Sequence, residues 1–155
     1  MRNLRIVSLM AVLVGMLALP AAQAEILFSA ELLGSAEVPP NASPGTGTAL
    51  LTLNDAQTEV AYHIEFSGLL GTETAAHFHN APPGVAGGVV FGLPLGSPKD
   101  GVWAVGPAEV AMLLAEEIYV NVHSTMFPGG ELRGDMQRLT TAVEASTLST
   151  VKALY

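Results

Sequence analysis

Hydrophobic and polar residues alternate with a period of two along several short segments of the chain. The clearest segment is 58–66, where Val60, Tyr62, Ile64 and Phe66 alternate with polar or small residues. Such alternation predicts a half-buried β-strand. Comparable runs predict further strands over 26–32, 48–53, 73–79, 89–93, 102–105, 118–123 and 131–137.

Segments rich in Gly, Pro, Ser and Asn separate these strands, and the longest of them, 34–47, is predicted to be a loop. Helical spacing occurs once, over 107–117, where Val110 and Leu113 share a face. Pro107 suits the first turn of such a helix. About eight short strands and one inserted short helix predict an all-β fold, an antiparallel Greek-key β-sandwich or barrel.

The first 24 residues have the pattern of a secretory signal peptide. Arg2 and Arg5 precede an uncharged apolar run over 6–19, and a small-x-small pattern ends at Ala24. A membrane anchor is the alternative, but this run is shorter than the ~20 residues that span a bilayer. We therefore expect cleavage after Ala24, a domain over 25–138 and a C-terminal tail over 139–155. The product would be exported, periplasmic or extracellular, with no membrane span left after cleavage.

Charge and cysteine content exclude several functions. The chain has 14 acidic and 6 basic residues, and removal of the leader leaves 14 against 4, a formal charge of −10. Nucleic-acid binding depends on Lys and Arg facing phosphates, so no nucleic-acid partner is expected. The chain has no cysteine, which excludes disulfides, thiol nucleophiles and cysteine-based zinc sites. No GxSxG, P-loop or HExxH motif is present, and no enzymatic activity is predicted.

Three histidines form a candidate metal site. His77 and His79 flank Phe78, and residues two apart in a strand point to the same side. His123 ends the predicted strand 118–123, on the side that also carries Asn121. Imidazole ligands without a thiolate favour Cu(II) or Zn(II), and copper more than zinc. The alternative is that these histidines make structural hydrogen bonds and that no metal binds.

His63 is a further candidate near this site. If the strands 58–66 and 73–79 form a hairpin about Leu70, His63 lies opposite His77. Cross-strand neighbours are ~5 Å apart at Cβ, so this hairpin would bring a fourth imidazole to the cluster. We expect His63 to be a supporting or structural residue rather than a ligand.

Glu131 and Arg133 lie two residues apart in the last predicted strand and share a face. This spacing favours an ion pair at a strand edge, made with each other or with neighbours. The functional alternative is that Arg133 orients a loop or binds an anion while Glu131 supports a histidine.

The sequence resembles the CHRD domain, a family first named from chordin. The likeness covers about Leu27 to Met136 and so corresponds to the domain predicted over 25–138. The segments that carry it are Phe28–Leu32, Glu37–Pro40, Gly45–Gly47, Ala76–His79, Gly88–Val90, Tyr119–His123 and Phe127–Gly134.

The resemblance implies an all-β extracellular domain of a kind found in bacteria and in chordin, a secreted antagonist of bone morphogenetic proteins. That ligand is not carried over to this chain. More distantly, the HxH strand and His123 are similar to the copper site of Cu,Zn superoxide dismutase. The chain lacks that family's cysteine pair and its His- and Asp-rich zinc loop, so dismutase activity is not expected.

Two hypotheses follow. The first is an exported, non-enzymatic CHRD module that acts through a protein or surface partner of unknown identity. The second is a periplasmic metal-binding protein that uses His77, His79 and His123.

Overall fold

The computed structural model describes residues 24–139. Residues 1–23 and 140–155, which hold all but one residue each of the predicted signal peptide and tail, lie outside the described part. Within it the chain forms one α-helix, α1 (Pro107–Leu114), a short 3₁₀ turn at Gly34–Ala36, and nine strands. The strands are β1 (Ile26–Leu33), β2 (Thr46–Leu53), β3 (Glu59–Ser67), β4 (Glu73–Asn80), β5 (Gly88–Leu93), β6 (Lys99–Ala104), β7 (Ile118–Ser124), β8 (Leu132–Asp135) and β9 (Gln137–Arg138).

The strands form one antiparallel sheet that curls into a nearly closed barrel. Their order is β5-β4-β7-β8-β1-β2-β3-β6, and the short β9 pairs with β1. This arrangement confirms the predicted antiparallel all-β fold with one inserted short helix. The sheet ends at β5 and β6, which are consecutive in the chain and joined by residues 94–98.

The hairpin on which the hypothesis for His63 depended, between the strands that became β3 and β4, does not form. β3 pairs with β2 and β6, whereas β4 pairs with β5 and β7. The connection between β3 and β4 instead crosses from one part of the sheet to the other. Its backbone N–H groups at Leu70 and Gly71 donate to the Glu131 carboxylate, so this side chain replaces hairpin pairing.

The core fills the interior of the barrel with the inward members of each alternating strand. Phe28, Leu51 and Ile64 have no exposed surface. The aromatic side chains of Tyr62, Phe78, Phe91 and Trp103 pack together with ring centroids 5.4 to 6.2 Å apart. Because Tyr62, Phe78, Phe91 and Trp103 come from β3, β4, β5 and β6, this packing joins the two ends of the sheet. Each buried side chain of this size contributes roughly 1.5–3 kcal/mol.

A buried ion pair also links β6, at one end of the sheet, to β4, the strand next to the other end. The Nζ of Lys99, at the start of β6, contacts the Glu73 carboxylate at the start of β4. The same ammonium donates to the carbonyls of Pro94 at 2.6 Å and Gly96 at 2.7 Å. Lys99 thereby fixes the connection between β5 and β6.

The helix is shorter than the predicted 107–117. Gly106 precedes it, and the backbone N–H of Gly106 donates to the Glu109 carboxylate at 2.9 Å. The helix ends at Leu114 because Glu116 has a φ of 58°, outside the helical region. Among residues 24–139, no helix has the length and apolar character needed to cross a membrane.

Candidate metal centre

The pairing of β4 with β7 brings three histidines together on the outer side of the barrel. In this register His79 faces Tyr119, His77 faces Asn121, and Ala75 faces His123. Each of His77, His79 and His123 offers one ring nitrogen, and these three nitrogens lie within 4.8 Å of one another. The structure therefore gathers the three histidines that the sequence predicts, with Phe78 in the core between the first two.

Hydrogen bonds to carbonyl groups determine which ring nitrogens carry protons. Nδ1 of His79 is 3.0 Å from the Gly87 carbonyl, and Nδ1 of His123 is 2.9 Å from the Pro128 carbonyl. A carbonyl oxygen accepts only, so both Nδ1 atoms donate, and in the neutral rings both Nε2 atoms keep a lone pair. His77 Nδ1 lies 3.2 Å from His123 Nε2 and donates to it.

The Nε2 atom of His79 is buried and has no hydrogen-bond partner. The His79 side chain is 8% exposed, so solvent reaches little of it. An unsatisfied buried polar atom costs ~1–3 kcal/mol, and buried polar groups in proteins usually find a partner. A metal ion between the three rings would bind this lone pair.

The electrostatic surroundings favour neutral imidazoles. Burial lowers the pKa of His77 below its usual value, and the nearby His123 lowers it further. Burial also lowers the pKa of His79, against the opposing effect of its hydrogen bond to Gly87. The charges that His77, His123 and Arg133 can carry add to this lowering of the His79 pKa. Both rings are thus held in the form that ligates a metal.

A loop over residues 81–87, which we call the strap, covers the His79 side of the cluster. The carbonyl of Gly87, the last residue of the strap, accepts the hydrogen bond from His79 Nδ1. The Gly87 N–H donates to the Tyr119 hydroxyl at 3.0 Å, and Arg133 donates to the Val85 carbonyl at 2.9 Å. The strap explains why His79, Tyr119 and Arg133 are buried although they point away from the barrel interior.

Of the two pairings left open for Arg133, the structure contains the one with a neighbour, Asp135, and no ion pair with Glu131 among residues 24–139. Arg133 is 1% exposed and lies on β8, which has β7 on one side and β1 on the other. Its guanidinium donates to Asp135 Oδ1 from Nε at 3.0 Å and from Nη2 at 2.6 Å. Arg133 also stacks on the Tyr119 ring, 3.6 Å from the ring centroid.

Glu131 has neither of the roles considered from the sequence, an ion pair or the support of a histidine. Its carboxylate accepts hydrogen bonds from the Ser43 hydroxyl at 2.7 Å and from the backbone N–H of Leu70 at 2.5 Å. Burial acts to raise the pKa of Glu131, but hydrogen bonds from Ser124, Leu70, Ser43 and Gly71 outweigh it and lower the pKa. Glu131 therefore joins three loops and has no hydrogen bond to a histidine.

Asn121 lies between the histidine cluster and a buried carboxylate. Its Nδ2 donates to Glu37 Oε1 at 2.6 Å, while its Oδ1 is buried without a partner. Burial raises the pKa of Glu37 to about 7, although the Arg133 charge opposes this shift. Asn121 is thus a structural neighbour of the cluster, because it faces His77 across the pairing of β4 with β7.

His63 does not join the cluster. It lies on β3, where its register partners are Leu50 and Asp100. Its Nδ1 is 2.6 Å from the Asp100 carboxylate, and this hydrogen bond raises the pKa of His63. The expectation that placed His63 opposite His77 depended on the hairpin of β3 with β4, which does not form.

Sequence reasoning missed two residues that fix the His79 ring. Tyr119 stacks on His79 with ring centroids 4.7 Å apart and an interplanar angle of 9°. Its alternation with Asn121 and His123 in the sequence could have indicated its place beside the site. Gly87 lies in a Pro- and Gly-rich loop, where no periodicity indicates which carbonyl faces a histidine.

Comparison with known families gives a match over most of the chain. The family model of the CHRD domain matches residues 28–136, which include all three histidines of the cluster. Neither the curated proteins nor the solved structures contain a match.

Proposed function

The chain belongs to the CHRD domain family, and we propose that it is an exported module that binds a transition-metal ion. The ligands are His77, His79 and His123. One observation carries the proposal. The buried Nε2 of His79 has no hydrogen bond, and its ring belongs to a cluster whose three ligand nitrogens lie within 4.8 Å.

The donor set favours copper over zinc. The hydrogen bonds leave Nε2 of His79 and Nε2 of His123 as ligands, and Nδ1 of His77 faces the latter. Binding would move the His77 proton from Nδ1 to Nε2, so that the ring stays neutral. For nitrogen ligands, Cu(II) stands above Zn(II) in the Irving–Williams order.

Three protein ligands leave a coordination position for another molecule. His79 is buried, whereas His77 and His123 are half-buried, so the cluster is accessible from the side of these two rings. An open position of this kind distinguishes sites that exchange ligands from closed structural sites. We infer that the module binds and presents its ion, and that a protein or surface partner meets it on this side.

Replacing His77 with glutamine should weaken Cu(II) binding on the order of 100-fold, about 2.7 kcal/mol. His77 is half-buried, so the variant should stay folded while losing one of three ligands. The measurement is a competition titration of the untagged protein, purified as exported, against a chelator of known affinity. The matched control is His63→Gln, which removes an imidazole from β3 and should bind copper as the wild type does.

Equal copper affinity in the His77→Gln and His63→Gln proteins would contradict the proposal. So would a wild-type affinity no tighter than ~10 µM, about 7 kcal/mol. In that case the histidines serve the fold, and the module acts only through a protein or surface partner.

A further inference from the structure

We propose that Tyr119 and Arg133 are positioning residues that hold His79 with Nε2 available to the metal. This inference rests on the proposed metal-binding function and assigns to it two residues that are not ligands. The proposal is based on the stacking of the His79, Tyr119 and Arg133 side chains and on their hydrogen bonds to the strap.

The Tyr119 ring lies between the His79 imidazole and the Arg133 guanidinium. His79 is nearly parallel to it, at 4.7 Å between centroids and 9° between planes. The Cζ atom of Arg133 lies over the Tyr119 ring, 3.6 Å from the ring centroid. Tyr119 is 4% exposed and Arg133 1% exposed, so the stack is shielded from solvent. Stacking restricts tilt of the imidazole but does not select between the two orientations related by a 180° flip about the Cβ–Cγ bond.

Hydrogen bonds to the strap prevent this flip. The Tyr119 hydroxyl accepts the Gly87 N–H at 3.0 Å and lies 3.4 Å from the Gly87 carbonyl. Arg133 donates to the carbonyl of Val85, two residues before Gly87, at 2.9 Å. These two side chains therefore fix the peptide whose carbonyl accepts the His79 Nδ1 proton at 3.0 Å.

Arg133 is itself held in place by Asp135. Two of its nitrogens donate to the same Asp135 oxygen, at 3.0 and 2.6 Å. The planar guanidinium can then stack on Tyr119 and donate to Val85 at once, which a lysine ammonium cannot do in the same geometry. Asp135, Arg133, Tyr119 and the strap thus form a continuous support for one imidazole.

This support has the role that partners of ligating histidines have in known metal sites. Such a partner fixes the tautomer and orientation of the ring, and its loss usually costs 10–100-fold in metal affinity. A merely structural stack would stabilise the fold without controlling which His79 nitrogen is protonated. The tautomer of His79 in the metal-free protein therefore separates the two roles.

The test is Tyr119→Phe, which keeps the aromatic ring and removes only the hydroxyl that binds Gly87. Long-range ¹H–¹⁵N NMR correlations of the metal-free full protein would report the His79 tautomer. We expect a single Nδ1–H tautomer in the wild type and a mixture in the variant. We also expect a 10–100-fold loss of Cu(II) affinity. The control is Tyr62→Phe, which removes a phenol from the barrel interior and should change neither readout.

Arg133→Lys gives a second test that preserves the charge. It should also mix the His79 tautomers, because the guanidinium no longer spans Tyr119 and Val85. An unchanged tautomer and unchanged copper affinity in both variants, or mixed tautomers in the wild type, would overturn the positioning role. Mixed tautomers in the variants but no copper binding by the wild type would overturn the proposed function instead, because the tautomer is measured without metal.

Discussion

Replacing Gly87 with alanine is expected to abolish tight copper binding and to lower the free energy of unfolding by about 1–3 kcal/mol. A Cβ at this position would overlap the carbonyl oxygen of Asn80 and lie 2.7 Å from its carbonyl carbon and 2.8 Å from Ala81 Cβ. Backbone atoms of β4 cannot move aside without disturbing the strand, so the strap must move. Its movement would withdraw the carbonyl that orients His79.

Gly88→Ala provides the matched control, one residue along the chain. A Cβ there has no atom within 4 Å, and the residue begins β5. This variant should bind copper and unfold as the wild type does. Copper titration and urea denaturation of the two variants would check both expectations. Wild-type affinity in Gly87→Ala would show that the strap does not control the site.

Replacing Lys99 with methionine is expected to lower the free energy of unfolding by about 3–5 kcal/mol. Lys99 has no exposed side-chain surface, and Glu73, its partner, is 11% exposed. Methionine would fill much of the space but leave the Glu73 carboxylate without its counter-charge. The carbonyls of Pro94 and Gly96 would lose their donor as well. Urea or thermal unfolding would measure the loss.

Two further variants make this prediction specific. Adding Glu73→Gln to Lys99→Met should recover part of the lost stability, because no buried charge then remains unpaired. On the same strand, Asp100→Asn removes only the negative charge from the exposed contact with His63 and should cost less than ~1 kcal/mol. A Lys99→Met loss as small as the Asp100→Asn loss would show that the ion pair does not help to close the barrel.

The local patterns of the sequence predict much of the fold and of the three-histidine cluster. The alternation around Phe78 places that ring in the core and His77 and His79 on the opposite side, as the structure shows. The period of two holds for any strand whose one face packs on a core, whichever strands lie beside it. For that reason seven of the eight predicted strands agree with the observed ones within a few residues at their ends, whereas the predicted strand 131–137 is divided into β8 and β9.

The pairing of strands could not be predicted in the same way. A short turn after β3 is compatible with a hairpin or with a crossing to another part of the sheet. The choice depends on Glu131, about 60 residues later, whose carboxylate binds the N–H groups of Leu70 and Gly71. The error for His63 follows directly from this distant contact.

The alternating pattern also gave no sign that some residues on the outer face of the barrel are buried. Tyr119 and Arg133 occupy outward positions of β7 and β8, and alternation alone predicts that such positions are exposed. The strap covers them because Val85 and Gly87 find hydrogen-bond partners there. Loops without periodicity determine which outward residues form a site, and their position depends on contacts that no single segment encodes.

The most direct measurement for the proposed metal site is a crystal structure of the protein grown with Cu(II), with the ion located by anomalous scattering at the copper edge. The account predicts one copper ion bound by Nδ1 of His77 and by Nε2 of His79 and His123, with the His79 Nδ1 proton still donated to Gly87. A cluster without copper in crystals that bind the ion elsewhere, such as at His63 and Asp100, would contradict it.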